Sequence, residues 1–245
     1  MNLNRLNQIP WGSTHGRDEN YLGMCMMYYT LAYTHKAKVC VCLGSDSGLV
    51  PAMMKEAQID AGIEGTVYLV DGNMPEAGWG EPFYFLENGE TNPDHPFIKN
   101  YDCEVWLNTT TKAWNKMNEM ELQIDYIHID ASHSFTDSQL DFALYQKLLA
   151  PNGVITMHDC TIHKGVARTI DVLRDSDKWD VMEFCHPQMR QKWKDSYRGD
   201  SYDIIMDDFA MDESDLPFYE DPVFLKKYWD PFGNGTAVIK KRVVI

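Results

Sequence analysis

Short unbroken apolar runs alternate along this chain with longer stretches in which apolar positions recur at helical spacing. The short runs KVCVCLG (38–44), TVYLVDG (66–72), CEVWLN (103–108), IDYIHID (124–130) and GVITMHD (153–159) predict β-strands. WDVMEFC (179–185) and GTAVIKKRVVI (235–245) predict two more. The periodic stretches predict helices over 19–36, 48–62, 135–153 and 163–175, with Pro51 in a first turn and Gly62 past an end. Strands without polar alternation, separated by helices, belong to a parallel sheet covered on both faces and joined by right-handed crossovers. Such sheets bind ligands beyond the carboxyl ends of their strands, at the switch point. Here Gly44, Asp71, Asp130 and Asp159 end four of the first five predicted strands. That coincidence is the main functional signal.

The pattern predicts one domain over 1–245, made of a helical segment (1–36), a core (38–175) and an insertion (186–234). The insertion and the connection 72–102 are rich in Tyr, Trp, Pro and Gly, and substrate recognition is expected in such long connections. Composition narrows the class. Hydrophobic residues at 44% and charged ones at 24% describe a folded chain rather than a disordered one. No run approaches the ~18 apolar residues that span a bilayer, and the start MNLNRLNQIPWGS lacks the apolar stretch of a secretory signal. A net charge of −15 repels phosphate backbones, so nucleic acid and anionic membranes are excluded as partners and a small-molecule substrate is expected. A homo-oligomer would need an apolar patch to override that charge. The cysteines 25, 40, 42, 103, 160 and 185 lack the paired spacing of a zinc site. They are expected to be reduced, buried thiols of a cytoplasmic protein, with Cys40 and Cys42 on one face of their strand.

The turn LGSDSGL (43–49) leaves a strand and enters a helix between two glycines, which lets backbone N–H groups approach a ligand. It is neither G-x-G-x-x-G nor a Walker loop. Asp71, ending the next strand, is placed to accept hydrogen bonds from ribose hydroxyls, though an acid there also serves as a helix cap. In HIDASHSF (128–135), His128 and Asp130 share a strand face, and His133 follows at a helix start. His128 lies inside the strand and is expected to be a core histidine. MHDCTIH (157–163) adds His158 and Asp159 at the end of another strand. Two carboxylates and one or two imidazoles around one point suit a divalent cation or a proton relay, and equally a helix cap with a space-filling histidine.

The order LGSDSG, VDG, IDASHSFTDSQLDFALYQKLLAPNGVITMHD resembles a class I S-adenosylmethionine-dependent methyltransferase. More narrowly, 130–159 is similar to the macrocin-O-methyltransferase-like group. The resemblance covers about 35–175 and implies an α/β fold: a Rossmann-like, doubly wound, mostly parallel seven-stranded sheet with an antiparallel last strand. It implies that Gly44, Ser45, Asp46 and Gly48 wrap the methionine part of the cofactor, that Asp71 binds its ribose and that Asn108 and Thr109 lie beside the adenine; Asp130 adjoins the same cofactor. It also implies Mg²⁺, or another divalent cation, on Asp130, His158 and Asp159. The chain departs from the group's pattern at Cys42, where an acid is usual, at Ala131 and Asn152, where glycines are usual, and at Ser132, where some relatives carry a second acid.

The reaction implied is methyl transfer to a hydroxyl of a small molecule, a sugar or a natural product. A cation on Asp130 and Asp159 would lower the hydroxyl pKa, with His133 as proton acceptor, or His133 or His158 acting alone. Two other readings stay open: a metal-dependent hydrolase using His128, Asp130, His133, His158, Asp159 and His163, and a cofactor-binding subunit without catalysis. Trp79, Trp106, Trp114, Trp193, Tyr197, Tyr202 and Trp229 are aromatic enough to line an acceptor site, though most are expected to be core or loop anchors.

Overall fold

The computed structural model describes residues 1–9, 15, 17, 22–45, 47–72, 86–87, 90–161, 163–185 and 235–243. The elements run α1 (Leu3–Leu6), α2 (Cys25–Thr34), β1 (Val39–Leu43), α3 (Leu49–Asp60), β2 (Thr66–Asp71), β3 (Leu86–Glu87), β4 (Glu90–Thr91), α4 (Pro96–Asn100) and β5 (Glu104–Leu107). They continue with α5 (Thr110–Glu119), β6 (Ile124–Ile129), α6 (Phe135–Tyr145), β7 (Leu149–His158), α7 (Lys164–Arg174), β8 (Trp179–Phe184) and β9 (Thr236–Lys241). Seven strands form one sheet in the order β5-β2-β1-β6-β7-β9-β8, and β3 and β4 form a separate antiparallel pair. From β5 to β7 the pairing is parallel, while β9 runs antiparallel to both β7 and β8. This is the doubly wound, mostly parallel sheet with an antiparallel last strand that the sequence predicts. The order reverses between β1 and β6, which puts the switch point there.

Alternation along β1 divides the core. Cys40 and Cys42 face a cluster with Tyr28 of α2 and with Met53 and Met54 of α3. Val41 and Leu43 face a second cluster with Met117 of α5, Phe142 of α6 and Ile170 of α7. Covering both faces leaves the strand ends as the open edge of the sheet core.

Three differences from the expected elements have local causes. Helix α6 stops at Tyr145 because the chain pairs again at Leu149, which sits opposite Ile124 of β6 with an irregularity before Tyr126. So β7 begins earlier than 153. Helix α2 starts only at Cys25, six residues later than the apolar spacing suggests. Helix α5 has no counterpart among the periodic stretches because it buries only Ala113 and Met117, a stripe too narrow to read as periodic. Among the described residues no helix is long and apolar enough to cross a membrane.

Candidate active site

Beyond β1 the backbone turns at Gly44 with φ +76°, and its N–H donates to the Val70 carbonyl at 2.8 Å. A Cβ at this position would stand 2.1 Å from the Asp130 carbonyl oxygen, so only glycine lets the turn lie against the end of β6. Gly48, with φ +80°, precedes α3, and a Cβ there would strike the Phe97 ring at 2.3 Å. Between them, Ser45 N–H donates to Asp71 Oδ2 at 2.9 Å, and Ser45 Oγ accepts from Gly48 N–H at 3.2 Å. Asp71, only 3% exposed, therefore ties the turn to β2. On its other side, Asn108 N–H donates to the Asp71 carbonyl at 2.8 Å, and Thr109 Oγ1 caps α5 by accepting from Lys112 N–H at 3.3 Å. Gly44, Ser45, Gly48, Asp71, Asn108 and Thr109 thus gather along the ends of β1, β2 and β5. Cys42 is buried beneath them, its thiol pushed up by burial and by the nearby acids, and it donates to the Gly44 carbonyl at 3.2 Å. It stays neutral, so the charge of the acid usual at this position is missing.

The ends of β6 and β7 present side chains instead. Asp130 N–H donates to the Leu43 carbonyl at 2.8 Å, which joins this half of the site to the glycine turn. His158 Nδ1 lies 3.2 Å from Asp130 Oδ1 and 3.1 Å from Asp159 Oδ1. His133 Nε2 lies 2.6 Å from Asp159 Oδ2 and 3.7 Å from Asp130 Oδ1, between the two carboxylates. His163 stacks on His133 with centroids 4.0 Å apart, and its Nε2 is 3.8 Å from Asp159 Oδ2. Asp159 has φ +64°, a left-handed backbone that Asp tolerates better than most residues; it turns the chain out of β7 at the point where the carboxylate is needed.

The local sequence explains this placement. Ser134 caps α6 by accepting from Asp137 N–H at 3.1 Å, fixing the short link that carries His133 back over the strand ends. Ser132, where some relatives carry an acid, donates its hydroxyl to Asp137 Oδ2 at 2.7 Å.

Charges in the cluster are coupled. Burial pushes the Asp130 carboxyl upward, but His158 and the hydrogen bonds of His128, His133 and His158 outweigh it and hold it well below its ordinary range. Asp159 is lowered in the same way by His158 and His133. For His133 the two carboxylates overcome burial and raise its pKa to about 10, so it holds its proton at neutral pH. His163 goes the other way: burial and the neighbouring His133 lower it to about 4. The two carboxylates are thus held ionised beside the His133 imidazolium, with the neutral His163 ring stacked on it.

His15, far from the other site residues in the chain, also reaches the cluster. His15 is buried, its Nε2 lies 3.9 Å from Asp130 Oδ2, and its ring sits 4.1 Å from that of His158. No periodicity or motif around residue 15 marks it, since it reaches the site only through tertiary packing of the N-terminal segment. His128 is fully buried as expected, with Nδ1 2.8 Å from Thr156 Oγ1. Its other nitrogen nevertheless faces Asp130 Oδ2 at 3.7 Å. Trp106 packs edge-on against Tyr68, and Trp114 donates to the Leu144 carbonyl at 2.8 Å, so both anchor the fold. Asp46, Trp79, Trp193, Tyr197, Tyr202, Trp229 and the insertion 186–234 lie outside the described residues.

Residues 41–160 match a family described as a methyltransferase domain. No curated protein matches the sequence. Among solved structures, an O-methyltransferase from Bacillus cereus in complex with SAH is 14% identical, with 75% of this chain and 80% of that chain covered and a TM-score of 0.51. The O-methyltransferase TomG from Streptomyces achromogenes, involved in tomaymycin synthesis and solved with SAM, is 10% identical, covering 89% of this chain and 79% of that one at a TM-score of 0.52. This chain shares their fold.

Proposed function

We propose that this chain, an S-adenosylmethionine-dependent methyltransferase by its matched domain, methylates a hydroxyl oxygen of a small molecule, a sugar or a natural product. The observation that carries the reading is the junction at Gly44: the turn suited to the cofactor lies directly on the backbone of Asp130, the centre of the acid and imidazole cluster. Methyl transfer is an in-line displacement, so the protein chiefly aligns nucleophile, methyl and sulfur. On this reading Gly44, Ser45, Asp46 and Gly48 surround the methionine portion, Asp71 takes the ribose hydroxyls, and Asn108 and Thr109 flank the adenine. The resemblance of 130–159 to the macrocin-O-methyltransferase-like group supports oxygen as the methyl acceptor. So does TomG, which is described as an O-methyltransferase.

A divalent cation, Mg²⁺ or another, is proposed on Asp130, His158 and Asp159. The fit rests on the donor set: carboxylate oxygens of Asp130 and Asp159 lie within 3.2 Å of one imidazole nitrogen of His158, so oxygen and nitrogen donors converge on one point. When bound, such an ion supplies positive charge beside the acceptor hydroxyl and lowers its pKa. His133 is the proton acceptor in this reading; it performs that role once its carboxylate neighbours no longer hold its own proton in place. The segment 186–234 is proposed to bind the acceptor. The hydrolase alternative leaves the glycine turn and Asp71 without a task.

Calorimetry with S-adenosylhomocysteine, paired with labelled methyl transfer to a panel of sugar and polyketide hydroxyls with and without divalent cation, tests the proposal. Micromolar binding weakened by Asp71→Ala and turnover on a hydroxyl acceptor support it. No cofactor binding under any condition overturns it.

A further inference from the structure

We propose that the cation of this site is a divalent transition metal of the imidazole-preferring class, represented by Zn²⁺ or Co²⁺, rather than Mg²⁺, and that His15 is one of its ligands. The inference rests on the reading that a cation occupies Asp130, His158 and Asp159, and it adds a ligand from the N-terminal segment. One ligand atom each from His15, Asp130 and His158 lie within 4.8 Å of one another. Around an ion held at about 2.1 Å, neighbouring ligand atoms fall roughly 3–4 Å apart, so small adjustments close this group on a single ion. A second such group, His133, Asp159 and His163, adjoins it. There the two rings are stacked only 9° from parallel, so their nitrogens point side by side rather than at a common centre. The first group is the better cradle.

Its outer contacts fit the same role. His15 Nδ1 is 3.2 Å from the Tyr28 hydroxyl, which is 2.8 Å from Thr236 Oγ1; this leaves Nε2 as the nitrogen turned toward Asp130. A partner on one ring nitrogen that fixes the other is the usual support of a histidine ligand. A third imidazole adjoins the pair: His128 Nε2 is buried and faces Asp130 Oδ2 at 3.7 Å. The donor set then decides the metal. Mg²⁺ takes oxygen ligands in octahedral geometry and keeps much of its water. A pocket with imidazoles from His15 and His158, and that of His128 alongside, offers nitrogen, which suits Zn²⁺, Co²⁺ and Fe²⁺.

The experiment is a titration of chelator-treated protein with Co²⁺, followed by its visible absorption, with Zn²⁺ as competitor and Mg²⁺ measured by calorimetry. Expected are nitrogen-ligand bands and an affinity about 100-fold above that for Mg²⁺. His15→Ala should weaken Co²⁺ roughly 10–100-fold and leave Mg²⁺ binding unchanged; His15→Gln, which keeps volume and polarity, serves if the alanine variant does not fold. Equal affinity for Mg²⁺ overturns the inference. So does wild-type Co²⁺ binding in a folded His15 variant, or a larger loss from His163→Ala than from His15→Ala. S-adenosylhomocysteine binding is measured on the same metal-free samples: its absence counts against the methyltransferase reading, while intact cofactor binding without a preference for Co²⁺ counts against this inference alone.

Discussion

The two halves of the site are built by different means. At the ends of β1, β2 and β5 the working parts are mostly backbone: a left-handed glycine, an amide held by Asp71, a glycine pressed on Phe97. At the ends of β6 and β7 they are side chains, with Asp130, His133, His158 and Asp159 packed against one another in a largely buried cluster. Backbone geometry has no spare states, so a change in the first half should remove binding outright. A side-chain cluster should lose its chemistry while the fold and the cofactor pocket persist.

Substitutions can break that contrast, and the largest effect is expected in the backbone half. Gly44→Ala places a methyl group on the Asp130 carbonyl and forces a positive φ on alanine; stability should fall by about 3 kcal/mol, and Tm by roughly 6–10 °C. Calorimetry should find no S-adenosylhomocysteine binding by this variant. In the other half, Asp130→Asn removes the centre of the charge cluster. Methyl transfer should drop about 10³-fold while cofactor affinity changes only a few-fold; a parallel loss of binding would show that the halves are not separable. Asp71→Ala should have the complementary profile, with cofactor affinity down about 100-fold and the rate at saturating cofactor much less affected. The smallest effect belongs to a residue of neither half. Asp141 of α6 is buried, which raises its pKa to about 7. Its folded pKa lies above the unfolded value, so the folded form holds the extra proton and stability should decline as pH climbs from about 4 to about 7. Asp141→Asn should flatten that decline in thermal melts across the range and leave cofactor and cation binding alone.

The same contrast decides how much could be read from the sequence. Strand ends and βα turns are local, so Gly44, Asp71, Asp130 and Asp159 were visible as strand-terminal groups, and His133 and His158 came with them. The parallel sheet followed from the unalternated strands, while the antiparallel β9 was implied only by the family resemblance. What escaped is not local. His15 belongs to no periodic element and meets His128 of β6 and His158 of β7 only through tertiary contact. The stacking of His163 on His133 depends on how α7 leaves the sheet. Helix α5 has too little apolar surface to announce itself, and the early start of β7 follows from a partner on β6.

The sheet order β7-β9-β8 has a consequence for how the protein is made. Among the described residues strand β8 pairs only with β9, about 50 residues further along the chain, so as the chain emerges from the ribosome β8 waits for residues 236–241 before it gains that neighbour. The five parallel strands can assemble first, with β7 as a temporary edge. The closing step is then the insertion of β9 between two strands already synthesised, a contact of high sequence separation and hence a slow one. Thr236 leads that strand and meets Tyr28 at 2.8 Å, so the last strand to arrive also locks the first helical segment over the site.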